Sequence, residues 1–164
     1  MTLLHVAVAC GVGVAATATL DAWNLLLARG FGVASLDFCL LGRWVAHMPR
    51  GVVRHRHIGA AAPRRGECVW GWMAHYGIGA GLALVFAWAL PAWLARPTML
   101  PALAFGVGTV VLPFFVLQPA LGFGVAAAAT RTPWRARLKS LVTHTVYGLA
   151  LYGWAYAAAW RVLD

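Results

Sequence analysis

Acidic residues are nearly missing from this chain. Its 164 residues hold four Asp and Glu against thirteen Lys and Arg, and only 10% are charged. A soluble domain carries about a quarter charged residues, so that class is excluded. Cysteine is scarce as well. Cys10, Cys39 and Cys68 form no CxxC and no close pair. An odd count at wide spacing argues against a disulfide framework or a zinc knuckle, and predicts small buried or free thiols. The opening "MTLLH" has no Lys or Arg. "VAVAC" before Cys10 therefore lacks the basic region of a secretory signal, and the first apolar segment is expected to remain as a helix. No repeat marks a solenoid, and the only low-complexity tract is "AAAA" at 126–129.

Long apolar runs are what the chain has instead. Hydrophobic residues make up 62%. They gather into segments near 3–28, 69–90, 98–121 and 138–160. Each is long enough to cross a hydrocarbon core of about 30 Å at about 1.5 Å per residue. Pro91 closes the second segment, and Pro101, Pro113 and Pro119 punctuate the third. The expected fold is an all-α integral membrane domain, a four-transmembrane-helix bundle spanning residues 1–164.

The cations sort by loop. Residues 29–68 hold Arg29, Arg43, Arg50, Arg54, Arg56, Arg64 and Arg65, and the third loop holds Arg131, Arg135, Arg137 and Lys139. The second loop has Arg96 and the C-terminal tail Arg161. This division, 11 against 2, places the first and third loops in the cytoplasm and both termini on the outer side of the membrane. The basic charge is thus a topology signal, and no nucleic-acid partner is expected. Within the long first loop, "SLDFCLLGRWVAHM" has Leu36, Leu40, Trp44 and Val45 at helical spacing. It predicts an interfacial helix over 36–47, with Ser35 as N-cap and Pro49 as stop. The basic stretch that follows is expected to be irregular. Its Arg50, Arg54 and Arg56, with Arg43 and His47, form a candidate site for an anion or lipid headgroup.

Polar residues inside the spans are the candidates for chemistry. Asp21, His75, Gln118 and His144 fall one to a span, at similar depth in the cytoplasmic half. Ionisable groups in a membrane are costly and face a bundle interior or a wet cavity. Small residues share their faces: Gly71 and Gly79 with His75, Gly148 and Ala155 with His144, Cys10 and Thr17 with Asp21. Asp21 is expected to take a histidine partner. Gln118, beside Pro119, is also placed to satisfy backbone groups freed by the proline. One Asp and two His suit a divalent metal, with Asp21, His75 and His144 as ligands. They suit an acid–base relay equally, and His75 with His144 would suit a haem. The functions in view are a cytoplasm-facing site for a small anionic or lipid-like molecule, with or without catalysis; a proton-coupled transporter, dimeric because four spans are few to enclose a pathway; a haem- or metal-binding electron-transfer subunit; and a structural accessory subunit. Membrane lipids and a small-molecule ligand are the expected partners.

The stretches "ATATLDAWNLLLARGFGVAS", "GRWVAHMPRG", "WGWMAHYGIG", "QPALGFGVAAAATRTP" and "RLKSLVTHTVYGLALY" together resemble a bacterial inner-membrane family known as domain of unknown function 2938. The resemblance covers nearly the whole chain. It implies four spans at about this length and no particular activity. The resembling stretches contain Asp21, Trp23, Arg43, His47, Arg50, His75, Gln118 and His144.

Overall fold

The structure is a computed structural model that describes residues 1–33 and 36–162, with side chains through Trp160. Among the described residues all regular structure is helical: α1 (Leu3–Phe31), α2 (Phe38–His47), α3 (Glu67–Ala89), α4 (Met99–Gly108), α5 (Gln118–Leu121) and α6 (Pro133–Val162), with short 3-10 turns and a π-helical segment at Pro113–Leu117. Among the described residues three helical stretches are long and apolar enough to cross a membrane: Leu3–Phe31, Glu67–Ala89 and Met99–Leu121. At most 28% of each apolar stretch is buried inside the protein. Leu3, Leu26, Met73, Val85, Trp88, Leu100 and Phe115 are all exposed. Apolar side chains on every side of a helix need lipid or protein around them, not water. α6 is long enough too, but His144, Tyr147, Tyr152, Trp154 and Tyr156 dilute its hydropathy.

The chain divides into two compact units. The first comprises Met1–Ser35, Tyr76–Gly108 and Thr143–Asp164, and the second Leu36–His75 and Thr109–Val142. The first holds the main apolar core, with Val12, Ala16, Phe86, Trp93, Leu94, Leu151 and Ala155 inside. Its helices approach closely because small residues let them. A Cβ on Gly106 of α4 would sit 2.6 Å from the backbone nitrogen of Gly148 on α6, and one on Gly13 of α1 would sit 2.7 Å from the Cα of Ala80 on α3. Polar side chains inside this unit bond backbone: Thr17 Oγ1 donates to the Gly13 carbonyl at 2.8 Å, and the Tyr147 hydroxyl to the Gly79 carbonyl at 2.7 Å.

The second unit is built on the first loop. The amphipathic helix occupies Phe38–His47, and Asp37 caps it, its Oδ1 accepting the Cys39 N–H at 2.8 Å. The expected cap, Ser35, lies outside the described residues. α2 packs on the first turns of α3 through two glycines. A Cβ on Gly42 would collide with the Glu67 carbonyl, and one on Gly71 with the Phe38 carbonyl. This approach brings Cys39 and Cys68 together as a disulfide, with Cα atoms 3.9 Å apart, while Cys10 stays free. The expectation of separate thiols is therefore corrected. A sequence separation of 29 hides a pair that helix packing makes adjacent.

The third apolar stretch is broken where proline removes a backbone donor. Pro113 opens the π segment, and the Gln118 N–H reaches back to the Pro113 carbonyl. After α5 the chain turns sharply, with Gly122 at φ 87° and Ala126 and Ala127 at φ 48° and 61°. Left-handed alanine is unfavourable by about 1 to 2 kcal/mol. Arg137 Nε, at 2.8 Å from the Ala126 carbonyl, and Thr130 Oγ1, at 2.8 Å from the Ala127 carbonyl, hold the turn.

Candidate functional site

Ten of the thirteen Lys and Arg belong to the second unit. Arg43 is its central cation. Its Nε and Nη2 grip Glu67 at 2.9 and 2.7 Å, and its Nη1 faces the carbonyls of Ile58, Gly59 and Ala61 at 3.2 to 3.5 Å. Glu67 also accepts the Arg64 backbone N–H at 2.8 Å, which fixes the chain just before α3. This fork-to-fork pair is 12% and 14% exposed, dry enough to be strong. Sequence reasoning passed over Glu67. Its signal was rarity, because the only acid at the end of a basic loop has every reason to find an arginine.

His47 is buried below the same loop. Its Nε2 lies 3.1 Å from Arg64 Nε and 3.0 Å from the Ala62 carbonyl. One ring nitrogen cannot serve both: unprotonated it accepts from Arg64, protonated it donates to Ala62. The His55 ring stands edge-on at 5.1 Å from that of His47. Burial, with His47 nearby, pushes the pKa of His55 below its ordinary value.

The basic stretch is irregular, as expected, yet it is anchored. The His55 N–H donates to the Ala120 carbonyl at 2.8 Å, Trp44 Nε1 to the Val53 carbonyl at 2.8 Å, and Ile58 is fully buried. A Cβ on Gly122 would meet the Arg56 carbonyl, so the turn after α5 seats this segment. Half-buried His55 alternates with exposed Arg54 and Arg56, and Arg50 is also exposed. The guanidiniums thus stand outward from a fixed backbone.

His75 belongs to the second unit. Its ring stacks on Phe38 of α2, centroids 4.0 Å apart, with Trp72 edge-on at 6.0 Å. Gly71, on the same face, is the residue that lets α2 come close. Gln118 Nε2 donates to Ser140 Oγ at 3.4 Å, while its Oε1 is buried without a partner among the described residues. Asp21 and His144 belong to the first unit. The Tyr76 hydroxyl hydrogen-bonds the Asp21 carboxylate, and the His144 imidazole bonds the backbone of Gly106. Tyr76 was missed because only histidines were weighed as partners for Asp21. It stands directly beside His75 in sequence. In the same unit Trp23 Nε1, Asn24 Oδ1 and Thr143 Oγ1 are buried with no partner among the described residues. Buried polar atoms of this kind normally bind water or a ligand. Among the described residues no three His, Cys, Asp or Glu side chains gather as a metal-ligand set. A cleft of about 550 Å3 lies beside Thr2, His5, Trp88 and Pro91, and none of the candidate residues lines it.

The sequence profile of a family described as protein of unknown function, DUF2938, matches residues 10–158. The chain belongs to this family. The match takes in Asp21, Arg43, His75, Gln118 and His144, and also Glu67, Tyr76 and the cysteine pair of the second unit. No curated protein and no solved structure matches the chain. For DUF2938 the family supplies no substrate, so chemistry has to come from the residues themselves.

Proposed function

We propose that this protein is a four-span bacterial inner-membrane protein that binds a small anionic or lipid-like molecule on the arginine surface of its second unit, with both termini in the periplasm. One observation carries this: Arg50, Arg54 and Arg56 are exposed on a backbone already held by the Arg43–Glu67 clasp and the His55 bond to Ala120. Guanidiniums presented from an ordered loop bind phosphate or carboxylate at a lower ordering cost than those on a free loop. Arg43 and His47 act here as holders of the loop. Phospholipid headgroups and free anions share this chemistry. α6 serves as the fourth span, and loops one and three face the cytoplasm, where anionic lipid concentrates cations at about 1 kcal/mol each.

The test is a titration of phosphatidylglycerol, phosphatidylcholine and inorganic phosphate into the purified protein in neutral detergent. Phosphatidylglycerol is expected to bind more tightly than phosphatidylcholine. Competition by inorganic phosphate would point to a free anion as the ligand. Arg50→Gln with Arg54→Gln and Arg56→Gln should weaken binding about tenfold or more, and added salt should mimic that loss. Unchanged, salt-insensitive binding in the triple variant would end the proposal.

A second reading is a proton-coupled transporter, acting as a homodimer. Asp21 paired with Tyr76, together with the partnerless polar atoms of Trp23, Asn24 and Thr143, favours it. In that scheme Asp21 is the base, His75 and His144 carry protons, and Gln118 orients the ligand. Asp21→Asn should then abolish pH-gradient-driven uptake into proteoliposomes while phosphatidylglycerol binding persists. Uptake that survives the change would remove this reading. Among the described residues no three-residue ligand set for a divalent metal is gathered.

A further inference from the structure

We propose that Cys39 and Cys68 form a reversible thiol–disulfide exchange site, and that its state sets the order of the arginine surface. The clause on the arginine surface and the cytoplasmic side rests on the function proposed above. Three observations converge. The two sulfurs are joined across the α2–α3 contact, each cysteine being the second residue of its helix. Cys68 is exposed while Cys39 is half-buried, which favours Cys68 as the sulfur an external thiol attacks. The bond closes a loop that contains Arg43, Arg50, Arg54, Arg56, Arg64 and Arg65. The charge asymmetry turns that same loop toward the cytoplasm, where lasting structural disulfides are rare and those that form are transient.

The surroundings fit exchange. Asp37 is engaged with the Cys39 N–H, and Glu67, next to Cys68, is neutralised by Arg43. Arg43 also lies one turn beyond Cys39 on α2. A thiolate of a small dithiol attacks Cys68 Sγ. The Cys39–Cys68 bond breaks, and its electron pair departs on Cys39 Sγ as thiolate. The second thiol of the reductant, as thiolate, then attacks the mixed disulfide and frees Cys68. The reductant leaves as its own disulfide, and the two protein thiolates take up protons. Two electrons and two protons are transferred. With the bond open, the contacts that still join α2 to α3 among the described residues include the Gly42 and Gly71 approach, the Phe38 ring against Trp72 and His75, and the Arg43–Glu67 pair.

The experiment alkylates the full-length protein with a polyethylene-glycol maleimide under denaturing conditions, after treating intact cells with dithiothreitol or diamide. Three adducts are expected after dithiothreitol and one, at Cys10, after diamide. Phosphatidylglycerol should bind the oxidised protein about threefold or more tightly than the reduced protein. Cys39→Ser with Cys68→Ser should bind as the reduced form does, whatever the treatment. Three adducts after diamide would overturn the proposal, as would a disulfide that dithiothreitol opens only after unfolding. Equal binding by both forms would overturn the control of the arginine surface. Arg56→Cys, labelled from one side of sealed cells, reports the orientation separately. Labelling from outside would refute the cytoplasmic placement and so the transient disulfide.

Discussion

Glu67 shows how much one residue does where acids are scarce. It meets Arg43 through two hydrogen bonds and holds the loop before α3 through the Arg64 N–H. Glu67→Ala leaves a largely buried guanidinium without its counter-charge. That should lower stability by about 3 kcal/mol, read as earlier unfolding in detergent by tryptophan fluorescence. Glu67→Gln, which keeps the acceptor, should lose less. His55 makes a pH prediction. Its folded pKa lies below the ordinary 6.5, so the unfolded chain takes up the proton first. Stability is fully present above about pH 6.5 and falls as the pH drops below that value, until the folded ring also titrates. His55→Asn should flatten this acid slope while leaving stability at pH 8 nearly unchanged. An identical slope in the variant would remove His55 as its source. At this scale the sequence exposed the candidates but not their partners. Asp21 was legible as a group needing a donor, but that Tyr76 supplies one depends on which faces of two helices meet.

At the scale of elements, spacing and punctuation read well. α1 and α3 lie within a few residues of their expected spans, because runs of apolar residues set their length. α2 also appears where the amphipathic spacing of Leu40, Trp44 and Val45 predicted it. The third span is less regular than its composition suggests, since Pro113 disturbs the hydrogen-bond ladder. The glycine contact between α2 and α3 could not be read, because a glycine in a helix looks the same whether it faces lipid or backbone. Gly71→Ala places a methyl against the Phe38 carbonyl. It should push α2 away at a cost of about 1 to 3 kcal/mol and reduce Cys39–Cys68 pairing, seen as extra maleimide adducts under oxidising conditions. Gly77→Ala, where a methyl would meet nothing within 4 Å, should leave pairing intact. If both variants pair alike, the glycine contact does not govern the bond.

For the whole molecule, length and hydropathy make three helical stretches fit to cross a membrane among the described residues. The proposed fourth span, α6, carries aromatic and hydroxyl groups that lower its hydropathy. A reporter fused after Asp164 should read as periplasmic if the cations of loops one and three remain in the cytoplasm. A cytoplasmic signal would invert the proposed topology or remove one span. The second unit concentrates the basic charge and the first holds the main apolar core.

The sequence by itself determined the family, the apolar runs long enough to cross a membrane, the approximate bounds of the long helices and the concentration of cations in two loops. These follow from composition, period and length, which are local properties of the chain. Tertiary structure alone decided that Arg43 clasps Glu67, that Cys39 meets Cys68, that Asp21 takes Tyr76, and that His75 lies against Phe38. Each joins residues far apart in sequence whose meeting depends on helix rotation and on how near two backbones can come. Two glycines without Cβ atoms, Gly42 and Gly71, set that distance between α2 and α3.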